Sequence, residues 1–249
     1  MKIQRIRGVK DILPNEIWKW QYIESVAHKI FPRYGFNEIR LPIFEDTRLF
    51  SRSIGDTTDI VEKEMYTFKD RGGDSITLRP EGTASVVRAY IENKMYNPPS
   101  VLKMFYMGPM FRYERPQAGR LRQFNQVGVE AMGSPGPIVD VEIMTMVMEF
   151  LKELGLEDIK LEINSLGSQE CRPQYRELLK TEIEKHIDQL CDNCTARYQR
   201  NPLRVLDCKA KECGNVAEGL PKLIDHLDPA SAEHFAEVRS LLDSIGTPY

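Results

Sequence analysis

The stretch from Phe111 to Glu130, FRYERPQAGRLRQFNQVGVE, is the segment that most constrains the fold. It predicts two β-strands joined by a basic loop. Side chains alternate between the faces of a strand, so Arg112 and Glu114 share one face of the first strand. The same alternation groups four side chains on one face of the second strand: Phe124, Gln126, Gly128 and Glu130. Three more arginines surround the turn between the strands: Arg115, Arg120 and Arg122.

Two interpretations of this hairpin stay open from spacing alone. Neighbouring opposite charges such as Arg112 and Glu114 are typical of a solvated, salt-bridged ribbon. The polar run of Gln123, Asn125 and Gln126 within an otherwise apolar strand favours a ligand-binding face instead. Gathering guanidinium, carboxylate and amide groups on one surface is costly for packing alone, and it suits a ligand with both phosphate and amine groups.

The segment Arg79-Pro80-Glu81-Gly82-Thr83 follows a predicted strand, Ser75–Arg79, and precedes a predicted helix. One interpretation is helix capping, with Thr83 as the N-cap residue. In the other, the Glu81 carboxylate and the Thr83 hydroxyl contact the ammonium group of a ligand. Gly82 permits close approach of the backbone in either case.

Charge and hydropathy limit the classes of function. The 249 residues carry a net charge of −3 with a pI near 5.9, so nucleic acid is not attracted by overall charge. No apolar run reaches the length of a membrane span, and the N-terminus has no apolar segment typical of a secretory signal. A cytoplasmic protein is therefore expected. The usual nucleotide fingerprints, the P-loop and G-x-G-x-x-G, are absent.

The order of predicted elements indicates an α+β fold, with an antiparallel sheet flanked by helices. A helix is predicted from Asn15 to Phe31, and strands at Asn37–Leu41, Val101–Tyr106 and Ile159–Asn164. Pro42 interrupts the first of these strands, which indicates a sheet edge or an interface. A domain boundary is predicted near Leu166-Gly167, with residues 167–249 forming a small, mainly helical module whose last helix begins at Asp228-Pro229.

Four of the five cysteines lie in this module: Cys191, Cys194, Cys208 and Cys213. Cys191 and Cys194 form a C-x-x-C pair. Two interpretations stay open, a structural zinc site and reduced, half-buried thiols in a protein from a reducing compartment. No metal ligand is assigned among the predicted site residues.

Several motifs resemble those of bacterial histidyl-tRNA synthetases, which are class II aminoacyl-tRNA synthetases. RGVKDILP covers residues 7–14, and GFNEIRLPIFED at 35–46 is similar to class II motif 1. TLRPEGT covers 77–83, and FRYERPQAGRLRQFNQ with Gly128 and Glu130 is similar to motif 2. NPLRVLDCK at 201–209 resembles the insertion domain of the family. The resemblance extends over essentially the whole chain.

The resemblance implies roles for the hairpin residues in binding ATP, with Mg²⁺, for the activation of histidine. Arg112 would be catalytic, contacting the α-phosphate and the histidine carboxylate. Arg120 would hold the γ-phosphate, Glu114 would lie at the adenine edge, and Phe124 would stack under the adenine ring. The residues implied to bind histidine are Glu81, Gly82, Thr83, Arg112, Gln126 and Glu130, with Glu130 accepting from the imidazole.

Partners and alternatives also follow from the resemblance. It implies tRNA-His as a substrate and a homodimer through the motif 1 region around Pro42. The alternative is a non-catalytic regulatory subunit of histidine biosynthesis, a kind of protein that typically loses the ATP-binding arginines. Arg112 and Arg120 are both present, which favours the ligase. A simple RNA-binding module is a third interpretation, and the acidic pI opposes it.

The resemblance also leads to an expectation about completeness. The family's segments after this region, similar to RGLDYY and GGGRYD, its motif 3 and its anticodon-binding domain find no counterpart before Tyr249. We therefore expect the 249-residue chain to be unable to complete efficient aminoacylation by itself.

Overall fold

A computed structural model describes residues 3–54 and 64–249 of the chain. The chain forms two units, Met1–Pro135 with Glu142–Ile159 and Gly136–Val141 with Lys160–Tyr249. Among the described helices, none combines the length and the apolar character that crossing a membrane requires. The domain boundary expected near Leu166-Gly167 stays a prediction.

The structure combines helices and strands, as predicted. The strands are β1 (Asn37–Glu38), β2 (Phe44–Asp46), β3 (Tyr66–Lys69), β4 (Ser75–Leu78), β5 (Leu102–Phe111) and β6 (Gln123–Met132). The helices up to residue 153 are α1 (Ile17–Ile30), α2 (Thr47–Ile54), α3 (Thr83–Glu92) and α4 (Pro137–Glu153). The later helices are α5 (Cys171–Glu184), α6 (Asp192–Arg197), α7 (Leu203–Leu206), α8 (Lys211–Glu218) and α9 (Pro229–Ser244).

The strands form two small sheets, ordered β1-β5-β6 and β2-β4-β3. The pairs β5–β6, β2–β4 and β3–β4 are antiparallel, so the predicted α+β class with an antiparallel sheet is confirmed. β1 pairs with β5 in parallel. The strand predicted over Asn37–Leu41 is shorter than expected and ends at Glu38. The Ile39 N–H still donates to the Phe105 carbonyl, whereas the carbonyl groups of Leu41 and Pro42 accept from a buried arginine side chain and not from a neighbouring strand.

The hairpin is confirmed, but its first strand lies earlier in the chain than predicted. β5 runs through to Phe111, where its ladder with β6 ends at Gln123. Beyond it, the Arg112 N–H still donates to the Arg122 carbonyl, whereas the Tyr113 N–H donates to the carbonyl of Glu64. The expectation that Arg112 and Glu114 share a strand face is therefore wrong, since both lie in the loop.

The two faces of the β5–β6 hairpin are covered differently. On one face Phe105 packs with buried residues of α1 and α4, among them Ile30 and Met146. On the other face Met104, Tyr106 and Met110 pack with Val86 of α3. This second face also carries the predicted site residues of β6, so α3 is the helix that borders the site.

In the second unit, a core of aliphatic and aromatic side chains joins α5 to the short helices that follow, with Leu179, Ile183 and Val205 fully buried. The strand predicted over Ile159–Asn164 is wrong, because none of the described strands pairs with this segment and an isolated strand has no ladder to stabilise it. The predicted start of α9 at Asp228-Pro229 is confirmed, and the Asp228 carboxylate accepts from the Ser231 N–H.

Candidate functional site

The site face of the hairpin is formed by cross-strand pairs. As predicted, the alternation of β6 brings four residues to this face, and each has a partner on β5. The pairs are Met110 with Phe124, Gly108 with Gln126, Tyr106 with Gly128, and Met104 with Glu130. Gln126 is half-buried on this face. The polar groups of β6 therefore lie next to the mainly apolar residues of β5 on the same face of the sheet.

Tyr106 is packed between two glycines of the predicted site. A Cβ atom added at Gly82 would lie 2.2 Å from the Tyr106 ring, and one added at Gly128 would lie 2.3 Å from it. Since such contacts are far below van der Waals separation, only glycine fits at either position. The missing side chains let the first turn of α3 approach β6 closely, which brings Thr83 next to Glu130.

The hydroxyl of Thr83 donates a hydrogen bond of 2.7 Å to Oε1 of Glu130. Burial raises the pKa of the Glu130 carboxyl above its ordinary value, and the nearby negative charge of Glu81 adds to this effect. Burial and the charge of Glu130 likewise raise the pKa of Tyr106 to about 12. The pocket therefore presents a half-buried acceptor next to a phenol that stays protonated.

Glu81 caps α3. Its Oε2 accepts from the Thr83 N–H at 2.6 Å and its Oε1 accepts from the Ala84 N–H at 2.9 Å. The N-cap position is occupied by Gly82, so the expectation that Thr83 is the N-cap is wrong. Glycine has no side chain to bond the free N–H groups, and the carboxylate of the preceding residue does so instead. Each carboxylate oxygen keeps a further acceptor site for a ligand.

The guanidinium group of Arg112 is held between the two predicted segments. Its Nε donates to the carbonyl of Pro80 at 2.9 Å, and its Cζ lies 5.2 Å from the centre of the Phe124 ring. Its Nη1 lies 3.9 Å from Oε1 of Glu114. One N–H of the guanidinium is used to fix its orientation, which leaves the planar fork suited to bind an anion.

The turn of the hairpin loop is formed by Gln117 and Arg120, whose backbone groups exchange two hydrogen bonds. Between them, Gly119 has φ +77°, a conformation that favours glycine. Nη1 of Arg120 lies 3.5 Å from Oε2 of Glu114, and that buried oxygen accepts no hydrogen bond from the residues that the structure describes. At the inner end of the loop, Oε2 of Glu114 therefore has a charged neighbour but no hydrogen-bond donor within the described part of the chain.

The N-terminal segment contacts the loop, which the sequence did not predict. The carbonyl of Gly8 accepts from the N–H of Arg122 at 2.7 Å, and a Cβ at Gly8 would lie 2.8 Å from the Arg122 side chain. A concavity of about 300 Å³ lies here, lined by Arg7, Tyr113, Glu114, Arg115, Pro116 and Arg122. The guanidinium of Arg122 stacks 4.1 Å from the centre of the Tyr113 ring.

Arg79 is a second contribution that the sequence did not predict. Its side chain is buried, and it donates to the carbonyl groups of Leu41, Pro42 and Pro109. Burial lowers the pKa of this guanidinium. Arg79 thus ties the segment around Pro42 to β5. Its position at the end of a buried strand, directly before Pro80, is a signal that could have indicated this role.

The sequence of this chain is similar to those of known proteins. A family model described as histidyl-tRNA synthetase matches residues 8–199. A histidine–tRNA ligase from Geobacter metallireducens is 55% identical over 99% of this chain and 60% of its own length. One from Desulforamulus reducens is 53% identical over 100% of this chain and 59% of its own length. The chain thus spans about 60% of the length of these curated relatives.

Solved structures of related proteins have a similar fold. The crystal structure of apo histidyl-tRNA synthetase from S. aureus is similar with a TM-score of 0.74 at 42% identity, over 100% of this chain and 56% of that chain. An ATP phosphoribosyltransferase regulatory subunit/histidyl-tRNA synthetase from Bacillus halodurans C has a TM-score of 0.67 at 20% identity, over 99% of this chain and 66% of that chain, and shows a shared fold. Since the family model covers more than half of the sequence, the chain belongs to the histidyl-tRNA synthetase family.

Proposed function

We propose that this chain is the ATP- and histidine-binding part of a histidine–tRNA ligase, which activates histidine as histidyl-adenylate and transfers it to tRNA-His. The observation that carries the proposal is the convergence of Arg112 with Glu81, Thr83 and Glu130 on one side of the hairpin. Anionic and cationic side chains this close together can hold the ammonium group of an amino acid next to the phosphates of a nucleotide. The name of the relatives, histidine–tRNA ligase, agrees with this arrangement.

ATP, as its Mg²⁺ complex, would bind along the loop side of the hairpin. Phe124 would offer a ring face for the adenine, and Oε2 of Glu114, which accepts no hydrogen bond from the described residues, would accept one from its amino group. Arg120, with about two thirds of its side chain exposed, would hold the γ-phosphate. Arg112 would contact the α-phosphate, where negative charge builds up in the transition state.

Histidine would bind between α3 and β6. Glu81, Thr83 and Gln126 would contact its ammonium group, and the close packing at Gly82 would bring the α3 terminus to it. Glu130 would accept a hydrogen bond from an imidazole N–H. A buried acceptor of this kind discriminates against amino acids that have no donor to offer it, because the acceptor would then stay unpaired.

The chemistry needs orientation and charge neutralisation more than a base. A carboxylate oxygen of histidine attacks the α-phosphorus, an oxygen–phosphorus bond forms, and the bond to pyrophosphate breaks. A hydroxyl group at the 3′ end of tRNA then attacks the carbonyl carbon, and AMP leaves. In both steps Arg112 would stabilise the charge on the α-phosphate. The substrates ATP and tRNA make the cytoplasm the proposed location.

We also propose that the segment around Pro42 forms a homodimer interface. Ile43 and Phe44 expose 45% and 58% of their surface, and β2 is an edge strand within the described sheet. An exposed apolar edge of this kind favours association. In sedimentation velocity, Phe44→Asp should weaken the dimer. The matched control is Phe68→Asp, on the opposite edge strand β3 and similarly exposed, which should leave the dimer intact. A wild-type protein that sediments as a monomer would contradict the proposal.

The ligase proposal is tested by ATP–pyrophosphate exchange with the protein expressed from its complete gene. Exchange that depends on histidine, and on none of the other amino acids, supports it. No exchange, together with binding to an enzyme of histidine biosynthesis, would favour the regulatory subunit instead. Charging of purified tRNA-His by the same preparation tests the second step.

A further inference from the structure

Four cysteine side chains converge in the second unit. The Sγ atoms of Cys191, Cys194, Cys208 and Cys213 all lie within 4.8 Å of one another. The sulfurs of Cys191 and Cys208 are 3.8 Å apart. Four sulfurs bound to zinc at about 2.3 Å in a tetrahedron are separated by about 3.8 Å, so the cluster already has nearly the dimensions of a zinc tetrathiolate.

The four cysteines lie in two pairs, each at or next to a short helix. Cys191 precedes α6 and Cys194 lies in its first turn, which gives a C-x₂-C pair. Cys208 follows α7 and Cys213 lies in α8, which gives a C-x₄-C pair. Both spacings fall within the range of structural zinc sites. The sequence left zinc and reduced thiols as open alternatives, and the convergence of all four sulfurs favours zinc.

The helices around the four cysteines are short, and a bound metal ion would join them. α6, α7 and α8 have six, four and eight residues, lengths at which an isolated helix is not stable in water. Cys194 and Cys213 are fully buried among the apolar side chains that form the core of this unit. A metal ion at this point would link all three helices to the core.

Two of the sulfurs accept hydrogen bonds from polar groups. The backbone N–H of Cys191 donates to Sγ of Cys213 at 3.2 Å. Nη2 of Arg197 donates to Sγ of Cys194 at 3.5 Å. Four thiolates around Zn²⁺ carry a net charge of −2, and the guanidinium offsets part of it.

A disulfide does not explain the arrangement. Disulfide sulfurs are bonded at about 2.05 Å, whereas Cys191 and Cys208 are 3.8 Å apart. Pairwise bonding would also leave no reason for all four sulfurs to meet at one point. All five cysteines of the chain, including Cys171 outside the cluster, are free.

We propose that Cys191, Cys194, Cys208 and Cys213 bind one structural Zn²⁺ ion. Binding is a ligand exchange with no change of oxidation state. Four zinc–sulfur bonds form, the ion loses its water ligands, and each thiol that was protonated releases its proton to solvent. Since no open coordination position is left, the ion has a role in folding and none in catalysis.

Metal analysis of protein purified without chelator tests the proposal. We expect about one zinc per chain in the wild type, and less than about one tenth of that in the double variant Cys191→Ser/Cys208→Ser. These two cysteines are the half-buried members of the cluster, so their replacement disturbs the core least. The matched control is Cys171→Ser in the same unit, which should keep its zinc.

The following results would overturn the proposal. Wild-type protein that holds no zinc after purification and after dialysis against a zinc salt would do so, as would a double variant that keeps its zinc. Stoichiometric iron in place of zinc would reject the choice of metal.

If the double variant does not fold, cobalt substitution of the wild type decides. Cobalt bound tetrahedrally by thiolates gives intense absorption bands in the visible region and a sulfur-to-metal charge-transfer band. The absence of both features would reject a four-sulfur site.

Discussion

The hydroxyl of Thr83 donates a 2.7 Å hydrogen bond to the carboxylate of Glu130, which joins the first turn of α3 to β6 across 47 positions of the chain. Both residues are proposed to contact histidine. The bond fixes the carboxylate that would recognise the imidazole, and it also satisfies an acceptor that is half-buried. Positioning and stability therefore depend on the same pair.

Thr83→Val removes the hydroxyl and keeps the shape of the side chain. The Glu130 carboxylate then loses one of its hydrogen-bond donors, and we expect the free energy of unfolding to fall by about 1–3 kcal/mol. The Thr83 hydrogen bond also lowers the pKa of Glu130, so the variant should raise that pKa further. Chemical denaturation measures the first effect. Thr181→Val, at an exposed site on α5, is the control and should change stability by less than about 0.5 kcal/mol.

Glu130→Gln should separate stability from binding. The pKa of Glu130 is raised from its ordinary value of 4.5, mainly by burial. The folded state thus favours the protonated carboxyl, and its contribution to stability is present below the ordinary pKa and lost as the pH rises through the folded-state pKa. The neutral glutamine should therefore make the protein more stable than the wild type at neutral pH, with a smaller difference in acid.

The same variant should weaken histidine binding, because the amide is a poorer acceptor than a carboxylate. Denaturation at several pH values and calorimetric titration with histidine measure the two effects. A variant less stable than the wild type at neutral pH would contradict the assignment of burial as the dominant cause.

Gly128→Ala should destabilise the hairpin by about 3 kcal/mol, because the added methyl group would lie 2.3 Å from the ring of Tyr106. Thermal melting measures this. Gly214→Ala on α8 is the matched control, since no described atom beyond its chain neighbours and the adjoining helix backbone lies within 4 Å of its Cβ position. Alanine there should stabilise the helix by about 0.5–1 kcal/mol. Equal melting temperatures for the two variants would argue against close packing around Tyr106.

Arg112→Gln should reduce histidine-dependent ATP–pyrophosphate exchange by about 10²–10³-fold, since it removes a charge aimed at the reacting phosphate. Arg112→Lys should not restore the rate, because a point charge cannot both donate to the Pro80 carbonyl and present a planar fork. Arg71→Gln, in the exposed turn between β3 and β4, should leave exchange unchanged. Exchange at the wild-type rate in the lysine variant would reject the bidentate role.

The predictions that were confirmed depended on local patterns in the sequence. The period-two alternation of residues 123–132 gives β6 and the face shared by Phe124, Gln126, Gly128 and Glu130. The Asp228-Pro229 signal gives the start of α9. Both depend on neighbours in the sequence. The strand expected at Ile159–Asn164 was wrong because a strand needs a partner, which local pattern cannot supply.

By itself, the sequence determined the hairpin, the polar face of β6, the basic turn and the two cysteine pairs, since each is fixed by residue order and backbone geometry. Only the tertiary structure decided that Arg112 and Glu114 lie in the loop and that Tyr106 fills the space left by Gly82 and Gly128. It also brought Cys191 and Cys194 to Cys208 and Cys213. The physical reason is that close packing and long-range hydrogen bonds join residues whose separation in sequence carries no signal of their contact.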